Sequence, residues 1–171
     1  MKSLSYAIVT VLCIGLVTGC AGSAALQSQH AGYQYQGEKY GRVVVTQSAA
    51  VANDSRKGVR LEEMALDTKI VTELKAAGAF DSASPNSVGV LINSIHIRNT
   101  FNAMVFGFMA GADNINGTVT LKKGDRDLAR FDVTASYALG GAVGGINSTR
   151  LGWLSERFAE ETVNIILGRK R

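Results

Sequence analysis

The residue type best suited to covalent chemistry in this sequence is cysteine, which occurs twice, at Cys13 and Cys20. Cys13 lies inside an apolar run from Tyr6 to Thr18, where a thiol acts as one more small hydrophobe. Cys20 comes directly after that run, behind Val17-Thr18-Gly19, with Lys2 in front of the whole segment. A positive start, a short apolar centre and small residues before a cut form the layout of an export signal. A cysteine at the cut makes it a lipobox: small Gly19 fits a peptidase cleft, and the Cys20 thiol is the group that takes a diacylglycerol. As a helix the apolar run covers about 20 Å, short of the roughly 30 Å hydrocarbon core, so it is a leader and not a span. The expectation is a lipoprotein signal peptide over residues 1–19 and lipid attachment at Cys20. One acyl chain binds a bilayer only marginally, whereas two anchoring signals hold stably, so the several chains of a bacterial lipoprotein, palmitate among them, suffice. Ala21 after the cysteine, in place of Asp, follows the sorting convention for the outer membrane, facing the periplasm.

Other chemistry is sparse. With residues 1–19 removed and Cys20 acylated, no thiol is left for a disulfide or a thiolate zinc site. The two histidines, His30 and His96, are far apart in sequence. His96 falls on an expected strand, on the side of Ser94 and Arg98. Glu62-Glu63 and Glu160-Glu161 are adjacent pairs, which point to different faces of their helices and do not converge easily. Asp125 and Asp127 suit a turn. No Gly-x-Ser-x-Gly, Walker or dinucleotide fingerprint occurs. The expectation is therefore no catalytic residue, no metal and no cofactor, in a protein that is not an enzyme.

The formal net charge is +4; loss of residues 1–19 removes Lys2 and no acid. No block of Lys and Arg with interleaved aromatics appears, which argues against nucleic acid as a partner. The basic end Arg169-Lys170-Arg171 complements the C-terminus of a helix, with anionic lipid heads as the other use.

The elements that position these residues follow from hydrophobic spacing. Residues 21–41 are small and polar, with Gln-rich and Tyr-containing stretches and neither periodicity, so 20–41 is expected to be a lipidated tether. Tyr33 and Tyr35 could dock on the domain or sit in the membrane interface. A single α/β domain is expected over 42–171, long enough to build a core without staples. It opens with the β-branched strand 42–47 and a polar loop at 53–58. A helix over 61–77 carries Leu61, Met64, Ile70 and Leu74, with Gly78 as its C-cap and Lys69 facing Glu73. A strand at 88–98 follows. Ile115 to Lys122 and Leu128 to Tyr137 alternate apolar with polar residues, forming a hairpin around Lys123-Gly124-Asp125-Arg126. A Gly-rich connector at 140–145 leads to a last helix with Leu151, Leu154, Phe158 and Ile166 on one face, capped by Asn147 or Ser148. The order β-α-β-β-β-α predicts an α+β two-layer sandwich: a mainly antiparallel sheet of about four strands packed by two helices.

Two stretches suit an interface. Residues 104–112 carry no charge, contain Phe106 and Phe108, and hold Gly107 and Gly111 at a spacing that permits close backbone packing. The simpler reading is a buried loop; the sharper is an exposed apolar surface for lipid or a partner. Trp153 and Arg157, one turn apart and off the apolar helix face, suit an interface anchor.

The lipobox, the helix ending in Leu74-Lys75-Ala76-Ala77-Gly78, and Phe106 to Ala112 leading into the Val119 strand resemble bacterial lipoproteins of the domain of unknown function 4410 type. The likeness extends over Arg42 to Leu167. It implies an envelope lipoprotein and carries over no functional residue except Cys20. The expected function is a lipid-anchored, non-enzymatic module for protein binding or assembly, its partner an envelope protein or a second copy. The alternative is a lipid-binding or transport auxiliary using residues 104–112.

Overall fold

The computed structural model describes residues 20–26, 32–54, 61–99, 111–138 and 147–169. The α+β two-layer sandwich expected from the sequence is present. Its strands are β1 (Cys20–Leu26), β2 (Arg42–Gln47), β3 (Asn86–His96), β4 (Asp113–Lys123) and β5 (Arg126–Tyr137), and its helices α1 (Ala49–Asp54), α2 (Leu61–Met64), α3 (Leu66–Ala76) and α4 (Asn147–Ile166). They form one sheet in the order β1-β5-β4-β3-β2. All neighbours are antiparallel except β2 and β3, which run parallel. A parallel pair needs a crossover, and α1 to α3 supply it.

One face of the sheet is dry. Val88, Val90 and Ile92 of β3, Ile115, Val119 and Leu121 of β4, and Phe131, Val133 and Ala135 of β5 are buried under Leu74 of α3 and Leu154, Phe158 and Ile166 of α4. Gly117 shares this face because the Phe158 ring lies there: a Cβ at 117 would come within 2.8 Å of the Phe158 Cζ. The opposite face is polar and tied in two rows. Asn93 donates to Thr118 (2.9 Å), which donates to Asp132 (3.1 Å). Thr134 donates to Asn116 (2.7 Å), which donates to Ser94 (2.8 Å).

Several expectations change. The helix expected at 61–77 is two pieces, broken at Ala65 with φ 45°. Lys69 does not turn to Glu73; it reaches Glu156 of α4 at 3.2 Å, joining the two helices. Gly78 does end α3: it adopts φ 69°, its N–H bonds to Lys75, and the Ala79 N–H bonds to Leu74, a Schellman closure. Strand β3 bulges between Ile92 and Ser94, which leaves Ser94 and His96 exposed; Arg98, expected on the same side, lies two residues past the strand end and is buried.

The largest change is the tether. Cys20–Leu26 pairs in full with β5, from Cys20 opposite Tyr137 to Leu26 opposite Phe131. Small residues without alternation hide such a strand from a periodicity argument, because pairing uses only the backbone. Residues 33–41 form a strap sewn to the domain. Tyr40 is 0% exposed, its N–H bonds to Ala79 and its C=O receives Asp81. Gly41 is required beside it, since a Cβ would lie 2.2 Å from the Ser84 carbonyl oxygen. Tyr33 docks edge-on against Phe131 at 5.5 Å and donates to the Ile166 carbonyl at 3.2 Å. Its hydroxyl lies 3.2 Å from that of Tyr40; with the Tyr33 proton directed at Ile166, Tyr40 is the donor of that pair. The expectations placed on residues 1–19, His30, Phe106, Phe108 and the 140–145 connector lie outside the described residues.

Two outcomes follow. Phe158→Ala leaves a hole over Gly117 and should cost about 3–5 kcal/mol in urea unfolding, with Leu74→Ala in a similar range. Burial pushes the Tyr40 hydroxyl well above the ordinary tyrosine range, and donation to Tyr33 pushes the same way. The folded chain therefore keeps a proton that the unfolded chain loses near pH 10, so stability is intact below pH 10 and falls above it, by up to about 1.4 kcal/mol per pH unit for this one group. Tyr40→Phe should flatten that alkaline slope by the same amount.

Candidate functional site

The expected lipid-bearing residue, Cys20, is the first residue of β1, and the register places it on a single row with two others. Cys20 opposes Tyr137, and Tyr137 opposes Asp113 on its other side. This row ends the sheet. β3 finishes beside it, and the first turns of α4 lie over it. The segments that join these strand and helix ends, 99–112 and 138–146, contain no Asp, Glu, Lys or Arg.

Beneath the row is a buried ionic cluster. Asp113 is 0% exposed, Arg150 0% and Arg98 5%. The Arg150 Nη1 donates to both Asp113 oxygens, at 3.2 and 3.0 Å. Arg98 donates to Asp113 through its backbone N–H at 2.7 Å and through Nε and Nη2, both at 3.3 Å. Other guanidinium nitrogens reach main-chain carbonyls: Arg98 those of Gly111 and Tyr137, at 2.7 and 3.3 Å, and Arg150 that of Arg98, at 3.0 Å. Two guanidiniums on one carboxylate leave one positive charge in excess. Burial is tolerated because the forked donors are directed to oxygen. This cluster was missed in the sequence, although a signal existed. Asp113 has the parity of Ile115, Gly117 and Val119, and Arg150 stands four residues before Leu154 and eight before Phe158, so each falls on a core face.

Trp153 and Arg157 part company. Trp153 is 39% exposed and its ring lies against that of Tyr137, 5.2 Å between centroids, so it belongs to the Cys20 end. Arg157 is turned along its own helix, to Glu160 at 2.8 Å and Glu161 at 3.1 Å. The adjacent acids do converge, on this guanidinium, contrary to expectation. Glu160 is exposed and Glu161 buried; burial pushes the Glu161 carboxyl up, against the pull of Arg157. Asp127 pairs with Lys122 at 3.5 Å and Arg130 at 3.3 Å. Among the described residues, no group of three His, Cys, Asp or Glu is placed to hold a metal, and no helix is long and apolar enough to cross a membrane.

The second feature is the free edge of the sheet at β2. No described strand pairs with its outer side. Val44 and Leu91 are each 41% exposed, on the polar face, on either side of Gly89. An open groove of about 370 Å³ runs beside β2, lined by Val43 to Val45, Leu61, Leu66 and Asp67 among others.

The family model described as Domain of unknown function (DUF4410) matches residues 52–141. Among curated proteins none matches. Among solved structures, the PelC dodecamer from Paraburkholderia phytofirmans superimposes with a TM-score of 0.45 at 8% identity, over 83% of this chain and 97% of that one. A variant of the same dodecamer gives 0.44 at 9% identity over the same shares.

Loss of the shared carboxylate should be the costliest change at the cluster. Asp113→Asn strands two buried guanidiniums and should destabilise by about 3–5 kcal/mol. Arg150→Met leaves a balanced Arg98–Asp113 pair and should cost less, as measured by urea unfolding of both variants side by side.

Proposed function

For this chain, which belongs to the family of the domain of unknown function 4410, we propose a role as a lipid-anchored cell-envelope protein: a non-enzymatic module that binds an envelope protein or a second copy of itself. The observation that carries the anchor is the Val17-Thr18-Gly19-Cys20 box behind a short apolar run. The acyl chains on Cys20 hold the domain on the outer membrane, on its periplasmic side.

The β2 edge supports the binding role. An edge strand presents unpaired N–H and C=O groups to any chain that can extend the sheet. Here it is short and β-branched, and it carries the exposed Val44 beside a neighbouring strand with the exposed Leu91, so an incoming strand gains main-chain hydrogen bonds and an apolar contact together. The acids and histidine of the described residues are engaged in ion pairs or spread over separate surfaces, which favours binding over catalysis.

The anchor is tested by Cys20→Ser. The parent chain should sediment with membranes and carry diacylglyceryl mass on an N-terminal residue 20; the variant should lose both. A native chain that retains residues 1–19, or that washes from the envelope unmodified, overturns the proposal. The binding role is tested with a photo-crosslinking residue at Val44, which should give one discrete protein adduct in intact envelopes; no adduct there removes the β2 edge as the binding element.

A further inference from the structure

We infer that the domain stands on the bilayer in one fixed orientation, with the Cys20–Tyr137–Asp113 end of the sheet at the lipid surface and Trp153 in the headgroup layer. The inference rests on the lipid-anchor proposal and deepens it, by naming the surface that touches lipid.

No spacer separates residue 20 from the sheet. A free tether of some twenty residues would let the domain tumble at a reach of roughly 25 Å. The structure leaves none: residue 20 is itself the first paired residue of β1, opposite Tyr137. An acyl group on residue 20 therefore draws the whole end row against the membrane. The side chain placed beside that row is an amphipathic one. Trp153 rests on Tyr137, which is itself buried, at 5.2 Å, yet keeps 39% of its surface exposed. Indole is the ring that favours the headgroup region, where one side is apolar and the other wet.

Among the described residues, the other sequence features that could meet lipid lie elsewhere. Tyr33 is docked on Phe131 and on the end of α4. Arg169 follows the far end of α4, about 28 Å along the helix from Arg150. The turn at Gly124 and Asp125 is a full strand length away, roughly 35 Å.

The chain contains one tryptophan, so its fluorescence reports this site alone. The full lipidated chain, purified from membranes, is reconstituted into phosphatidylethanolamine–phosphatidylglycerol vesicles with or without lipids brominated at shallow acyl carbons. Trp153 emission should shift to the blue and fall at least about two-fold on the brominated vesicles. A second chain, Trp153→Phe with Asp125→Trp, moves the reporter to the distant turn and should be unaffected. If the chain floats with the vesicles and Trp153 is not quenched, or if both reporters are quenched equally, the fixed orientation is wrong while the anchor stands. If the chain does not float with the vesicles, the anchor itself fails and the orientation falls with it.

Discussion

Everything at one end of this molecule depends on a carboxylate shared by two arginines. Asp113 begins β4, Arg98 follows β3, and Arg150 lies in the first turn of α4. Through main-chain carbonyls the same guanidiniums also hold Tyr137, the last residue of β5, and Gly111. Three strand ends and a helix start therefore meet at one ionic centre. Such a centre is a poor source of net stability, because the desolvation of three charges offsets most of their attraction. What it provides is position. An apolar plug would tolerate sliding, whereas forked donors on a carboxylate accept one geometry. The segments 99–112 and 138–146 join these ends in the sequence, and neither brings a charge of its own.

The rest of the fold is built by ordinary burial. Phe158 fits over Gly117 because that strand position lacks a side chain, and α4 is thereby located along the sheet as well as across it. α3 is tied to α4 by Lys69 and Glu156, and both are closed from the side by the Tyr33–Tyr40 strap. The polar rows Asn93–Thr118–Asp132 and Ser94–Asn116–Thr134 perform the same service on the wet face, satisfying side chains across three strands without a covering layer. Among the described residues no element covers that face and no strand pairs beyond β2.

Legibility in the sequence followed periodicity. The β4–β5 hairpin alternates without interruption, so its strands, its turn and its buried face were all readable, and α4 showed its apolar stripe clearly. The Gly78 stop was readable because only a residue tolerant of left-handed φ suits it. What escaped were features without a period. Cys20–Leu26 is all small residues save Leu26, and its strand exists only through backbone pairing with β5. The break at Ala65 puts a non-glycine residue at positive φ, which no propensity announces. The bulge after Ile92 moved Ser94 and His96 to the wet face, and the strand end at His96 freed Arg98 from their parity. Arg98, Asp113 and Arg150 look like surface residues by type, and parity with neighbouring apolar positions marks only Asp113 and Arg150 as buried. At the candidate interface, Trp153 was legible as an aromatic off the apolar stripe; its separation from Arg157 was not, since that depends on Glu160 and Glu161 drawing the guanidinium along the helix.

The two candidate contact surfaces are separated by the architecture itself. β1 and β2 are the opposite edges of the described sheet, and β1 starts at Cys20, the residue proposed to carry the lipid. A chain held by its β1 end leaves β2 on the other side of the sheet, directed along the membrane plane and clear of the lipid. Strand pairing at such an edge is directional, because the register of main-chain groups admits a partner only in line with the sheet. A module fixed at one end and directional at one edge is suited to lateral assembly on a surface, whether the incoming strand belongs to a different protein or to a second copy. The absence of a spacer matters for the same reason: it lowers the orientational freedom lost when two anchored domains meet, and that loss is the main cost of association between otherwise small edges.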